Sequence, residues 1–202
     1  MFRLLLASAL LVGPIVATKY TTSEKQALVD AHNRLRRTLA KGEAQAKNGL
    51  MEEGANIREI SWDNGLETQA NNWAKACNFE HPDESEYGQN LAAQMPFVSR
   101  ASTLTRPDKW WSEITKYSGN PQLEWGSSTG HFTQMAWAET DKVGCALQNC
   151  TNGADQGFSY DNWTFTVCNY LVHGNVIDEN IYETGSPCSQ CSVGCNDGLC
   201  SD

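Results

Sequence analysis

The sequence predicts an α+β fold, with helices first and a pair of strands late. Three observations carry that reading. Two early segments place apolar residues at helical spacing behind capping residues. Two late segments alternate with period two. The 202 residues, 40% of them hydrophobic and seven of them tryptophan, suffice for one ordinary core.

The first seventeen residues read as a secretory leader. "MFR" is a short basic start, "LLLASALLV" is an apolar run too short to span a bilayer, and Ala17 offers a small residue for cleavage. No later stretch approaches a membrane span. The expected organisation is a signal peptide over 1–17, one domain over 18–184 and a cysteine-rich, hinge-like tail over 185–202. An extracellular location follows.

Next, "TTSEKQALVDAHNRLRRTLAKG" reads as a helix. Thr21 and Glu24 form a capping box, Leu28, Ala31, Leu35 and Leu39 make one stripe, and Gly42 suits the far end. "IREISWD" is a short strand. Asp63 or Asn64 caps a second helix, whose inward face holds Leu66, Ala70, Trp73, Ala74 and Cys77. Asn78 to Ser99 is polar and irregular. Thr105 and Pro107 start a third helix through Trp111 and Ile114. After the loop "YSGNPQLEWGSS", a short helix carries His131 to Trp137. The strands are "KVGCALQNC" and "NWTFTVCNY", joined by turn formers.

Charge and cysteines narrow the function. A net charge of −9 argues against nucleic acid or an anionic membrane as partner, since both need a basic face. Behind a leader, eight cysteines imply four disulfides rather than zinc, even for the four packed into "GSPCSQCSVGCNDGLC". Asn149-Cys150-Thr151 and Asn162-Trp163-Thr164 are glycosylation sequons, the second preferred because the first has a bridged cysteine at its centre.

Four motifs in order resemble the CAP superfamily of cysteine-rich secretory, antigen 5 and pathogenesis-related type 1 proteins. They are "HNRLR", "ISWDNGLETQANNWAKACNFEH", "GHFTQMAWAET" and "VCNYLVHGN", the last with Val172 where proline is usual. Residues 24 to 175 are covered. The venom allergen-like, activation-associated secreted proteins of parasitic nematodes are the most similar branch. The resemblance implies a three-layer α-β-α sandwich with a central cleft of two histidines and two acids. Here these positions are His81, His131, Glu113 and, replacing the second acid, Gln89. It also implies the disulfides Cys145–Cys168, across two neighbouring strands, Cys77–Cys150, Cys188–Cys195 and Cys191–Cys200.

Two neutral imidazoles converging on one point can start a Zn²⁺ site with His81 and His131 as metal ligands, and Glu113 behind them to orient water or ring. Gln89 lowers the negative charge and cannot take a proton, which weakens both metal affinity and acid–base chemistry. No nucleophile elbow or zinc-protease helix is present; Ser85 and Ser127 to Thr129 are loop residues. The chain therefore reads as a secreted binding protein, an extracellular effector or a sterol or fatty-acid carrier, not an enzyme, with a metal-dependent hydrolase built on His81, His131 and Glu113 as the alternative. Leu123 and Trp125 stand in a polar loop, a contact-surface signature. The matching loop of related proteins is implicated in sterol binding. A fatty acid between two helices, near Phe97, Trp110 and Trp111, is the other lipid mode that the resemblance implies, although such residues are more often core. A protein ligand for a host receptor is a further alternative. His32, Asn33 and Arg36 read as structural, and His173 has no evident partner.

Overall fold

The computed structural model describes residues 19–123, 126 and 128–201, so the leader expected over 1–17 lies outside the described residues, as does Trp125. Helix α1 (Thr22–Ala40) starts at the capping box: the Thr21 hydroxyl accepts from the Glu24 N–H and the Glu24 carboxylate accepts from the Thr21 N–H. A two-residue hairpin, β1 (Gln45–Ala46) and β2 (Gly49–Leu50), follows. Then come β3 (Ser61–Trp62) and α2 (Asn64–Lys75), whose N-cap is Asp63. Strand β4 (Gly88–Gln94) precedes α3 (Arg100–Thr103), α4 (Arg106–Trp111) and a 3-10 turn at Ser112–Lys116. Helix α5 (Gly130–Ala136) leads into β5 (Lys142–Cys150) and β6 (Trp163–Leu171), and the tail forms β7 (Gly194–Asn196) and β8 (Leu199–Ser201).

The main sheet runs β3-β5-β6-β4, parallel only between β3 and β5. Period two along β6 sends Trp163, Phe165 and Val167 toward Ala70 and Ala74 of α2. It sends Cys168 and Tyr170 toward Leu28 and Leu39 of α1 and Phe132 and Met135 of α5. Alternation alone leaves one face wet, but this sheet is covered on both faces, so Trp163 to Tyr170 are all buried. The result is three layers. Gly144 lets α2 seat directly on β5, because a Cβ there would meet the Glu67 nitrogen at 2.2 Å.

Three expectations need correction. The span read as irregular contains β4, whose "GQNLAAQ" has no β-branched residue and is held instead by seven paired positions along β6. The third helix, expected from Thr105 through Ile114, is split into α4 and a 3-10 turn, and the four-residue α3 precedes it. The tail joins the main core, with Leu199 buried in it and Cys200 bonded in both directions to the segment before β3. Disulfides link Cys77–Cys150, Cys145–Cys168, Cys188–Cys195 and Cys191–Cys200. The first joins residues 73 apart, a closure worth roughly 4 kcal/mol in the chain-entropy view.

Two buried ionisable groups lock α1 to this frame. The Arg36 guanidinium is wholly buried, with Asp141 and Glu139 near enough to favour its charge. It donates to five carbonyls: Arg58 at 2.9 Å, Met135 and Trp137 at 2.8 Å, Ala138 and Thr140 at 3.0 Å. Burial pushes its pKa down to about 9, so it stays charged at neutral pH. His32 donates from Nδ1 to the Leu28 carbonyl at 2.7 Å and accepts at Nε2 from the Tyr170 hydroxyl at 3.0 Å. Burial, with some help from Arg36, lowers it to about 4, while Asp108 acts in the opposite sense.

Arg36→Lys keeps the charge but offers three donors to five carbonyls. A loss of about 3 kcal/mol is expected in a denaturant titration. Because His32 titrates lower when folded than when unfolded, its neutral form supports the fold fully above its ordinary value of 6.5. That support is lost as pH falls from about 6.5 to about 4, on the order of 3 kcal/mol in all. Thermal melts across that window should decline for the native chain and flatten for His32→Gln.

Candidate functional site

The site grows from two consecutive residues of the edge strand β4. Gln89 lies opposite Asn169, on the α2 side of the sheet; Asn90 lies opposite Cys168, on the α1 and α5 side. Each begins one arm. On the first, Gln89 Nε2 donates to Asn169 Oδ1 at 3.1 Å, and Gln89 Oε1 accepts from His81 Nδ1 at 2.9 Å. His81 is exposed on the loop between α2 and β4. On the second, Asn90 Nδ2 donates to the His131 carbonyl at 3.1 Å and lies 3.4 Å from the Tyr170 hydroxyl, which reaches His32. A hydrogen-bonded chain therefore runs from α1 to the backbone of His131.

His131 opens α5, which has no side-chain cap of its own. Glu113 supplies one from the 3-10 turn. Its Oε2 accepts from the backbone N–H of His131 at 3.1 Å and of Phe132 at 3.3 Å, and its Oε1 accepts from His131 Nδ1 at 2.7 Å. This is a carboxylate at a helix N-terminus, where orphan N–H groups and the helix dipole both favour it. Trp110 stacks on the imidazole, centroids 5.8 Å apart, and anchors its own indole N–H on the Leu91 carbonyl. Gly88 has no room for a Cβ, because Gln134 Oε1 occupies the space at 1.9 Å.

The sequence reading missed Asn90, Asn169 and the stacking role of Trp110. Only the adjacency of Asn90 to Gln89 in "GQN" pointed to it. Each histidine spends Nδ1 on a neighbour and keeps Nε2. Among the described residues, no three of His, Cys, Asp and Glu come together as a metal cluster. Two imidazoles fall short of the three protein ligands of a catalytic zinc, so the donor set does not fit a resident zinc of that kind. Ser85 is folded into a local turn with Tyr87, and the Thr129 hydroxyl donates to the Gly126 carbonyl. Among the described residues, neither hydroxyl hydrogen-bonds a histidine, and Ser127 lies outside them.

Apolar candidates divide. Trp110 and Trp111 are core, Trp111 meeting Phe132 edge-on at 5.0 Å, whereas Phe97 is exposed. Leu123 is half-buried against the main core, and its N–H donates to the Glu179 carbonyl at 2.9 Å. Cavities of about 600, 450 and 330 Å³ lie between α1 and β3, beside Trp137 and Tyr182, and beside Cys77–Cys150. None of the three is lined by His81, Gln89, Glu113 or His131. No described helix is long and apolar enough to cross a membrane.

Comparison with known proteins gives a consistent result. Residues 29–170 match the CAP family, described as the cysteine-rich secretory protein family. Venom allergen 3 of Solenopsis invicta is 34% identical over 186 residues, covering 81% of this chain and 74% of that protein. The Ancylostoma secreted protein of Ancylostoma caninum is 30% identical over 202 residues, covering 91% of this chain and 45% of its own length. Another curated relative is matched over only 36% of its length. Among solved structures, NaASP2 with Zn²⁺ superposes with a TM-score of 0.79 at 28% identity, covering 91% of this chain and 98% of that one.

Glu113→Gln replaces one of the acceptor oxygens by a donor and removes the charge at the helix end. A destabilisation of about 1–2 kcal/mol is expected. The Nδ1–H signal of His131 should shift in the same variant, read by NMR of the ring nitrogens.

Proposed function

This chain belongs to the CAP family of cysteine-rich secretory proteins, and from that premise we propose that it is an extracellular carrier of a small apolar lipid, a sterol or fatty acid. The family is one of secreted proteins, and none of the relatives compared above carries an enzyme's name. We read the chain accordingly as a binding protein. The side chains that a hydrolase would use are spent on structure here: Glu113 accepts three hydrogen bonds and Gln89 cannot serve as a base.

One observation carries the lipid reading, the fixed base of the loop after Tyr117. The Tyr117 hydroxyl donates to the Gln122 carbonyl at 2.7 Å, and Leu123 and Ile181 N–H groups tie the loop to residues 179–181. Leu123 thus packs against the core from a stapled stretch of chain, and a base fixed in this way lowers the entropic cost of holding a flat apolar ligand beside it. A divalent cation held by His81 and His131 would keep two protein ligands and exchange freely with water. It plays no part in lipid capture.

The test is binding of fluorescent cholesterol and of a labelled long-chain fatty acid to the secreted chain. Trp125→Ala should weaken capture about tenfold, the equivalent of 1.4 kcal/mol, and Leu123→Ala should weaken it less. Chelation should leave it unchanged. Equal binding by native chain and Trp125→Ala would sink the loop reading. No binding of either lipid would favour a receptor ligand instead.

A further inference from the structure

The two sequons are cross-strand partners. Asn149 lies opposite Thr164 and Cys150 opposite Trp163, so the tripeptides run antiparallel against each other at one end of β5 and β6. Their asparagines differ. Asn149 Oδ1 accepts the Thr164 hydroxyl at 2.9 Å, and Cys150 is bonded to Cys77. Asn162 is exposed, precedes β6, and its side chain makes no hydrogen bond among the described residues.

The turn that presents Asn162 is built, not loose. Gly153 N–H donates to the Asp161 carbonyl at 2.9 Å, Ala154 N–H donates to Asp161 Oδ1 at 3.2 Å, and Phe158 N–H donates to the Gly153 carbonyl at 2.9 Å. A Cβ on Gly153 would strike the Tyr160 carbonyl at 2.0 Å, so the turn closes only with glycine there. This turn leaves Tyr160, two residues before Asn162, 57% exposed. An aromatic ring left in water beside a sugar acceptor is an uncovered apolar surface.

We propose that the chain carries a single N-linked oligosaccharide, on Asn162, with its first sugar seated on the ring of Tyr160. The donor is a lipid-diphosphate-linked oligosaccharide of the secretory compartment. Asn162 Nδ2 attacks its anomeric carbon, the N–C bond forms, the lipid diphosphate leaves, and Nδ2 gives up one proton. Transfer precedes closure of the sheet, because the Thr164 hydroxyl that the sequon requires is afterwards buried and bonded to Asn149 and to the Val98 N–H. Asn149 stays bare: Cys150, at the centre of its sequon, is drawn onto Cys77, which is already made when Cys150 emerges, and closure of the sheet afterwards ties the Asn149 carboxamide to Thr164.

Placement gives the sugar a second consequence. Asn162 sits at the end of β6 away from Asn169, the residue that Gln89 of the histidine site touches. At about 3.3 Å per strand residue the two ends are roughly 20 Å apart. The oligosaccharide therefore stands at the end of the sheet where Phe158 meets Trp163 and leaves the end where Gln89 meets Asn169 open to partners.

The experiment uses the full chain secreted from eukaryotic cells. Glycopeptide mass spectrometry should find the peptide holding Asn162 occupied and the peptide holding Asn149 unmodified, and Asn162→Gln should migrate as the sugar-free species. Occupancy at Asn149, or an unmodified Asn162, overturns the site. Enzymatic removal of the sugar should lower the melting temperature of the native chain by about 2 °C but leave Tyr160→Ala unmoved. An equal shift in both proteins, zero included, overturns the seat on Tyr160.

Discussion

Helix α5 is seven residues long, too short to persist by its own hydrogen bonds. It is held from outside by one charge at each end. Glu113 meets the free N–H groups at its start, and Arg36 collects the carbonyls of Met135 and Trp137 at its finish. Each charge has the sign that the helix dipole favours at that end. Within this clamp Phe132 and Met135 point into the core while His131 stays part-exposed, stacked on Trp110. Buried Gln134 extends the clamp by accepting from Gly174 N–H and donating to Thr140. The position of the site histidine is thus set by the same contacts that dock α5 on α1.

The hydrogen bonds of Arg36 go to carbonyls rather than to a carboxylate, and that matters for how the frame is specified. A buried ion pair could be replaced by well-packed apolar residues at little cost. Five convergent carbonyls cannot, because each would be left without a donor in a dry interior. Those carbonyls come from the segment before β3, from the end of α5 and from the turn into β5. One side chain of α1 therefore sets its spacing from the segment before β3 and from the stretch that runs from α5 into β5, two regions far apart along the chain. The tail adds to this end of the molecule, since Asp197 meets Lys41 and Glu59 meets Arg37 close to where Cys200 pairs.

The elements written in local chemistry were legible. Thr21 with Glu24, Asp63 before α2, and the alternation of Val143, Cys145 and Leu147 each state their structure within a few residues. Strand β4 was not, because it owes its conformation to pairing with β6 rather than to its own residues. The roles of Arg36 and Glu113 were also hidden. Their partners lie about a hundred and about twenty residues away, and nothing in "HNRLR" or "WWSEI" says that carbonyls or helix N–H groups wait there. Gln89 and Asn90 show the same limit at finer scale. Adjacent in sequence, they serve opposite faces of one strand, and only the sheet register separates the two arms of the site.

That separation bears on what the histidine pair can do. A catalytic centre needs its acid, base and nucleophile to converge with free valences. Here His81 and His131 each have Nδ1 already bonded, the first to Gln89 and the second to Glu113, and that carboxylate also caps a helix. Restoring a second acid at Gln89 would add a charge on the α2 side, beside buried Asn169, without freeing Glu113 from α5. The site is better understood as the place where two layers of the sandwich are tied around an open sheet edge.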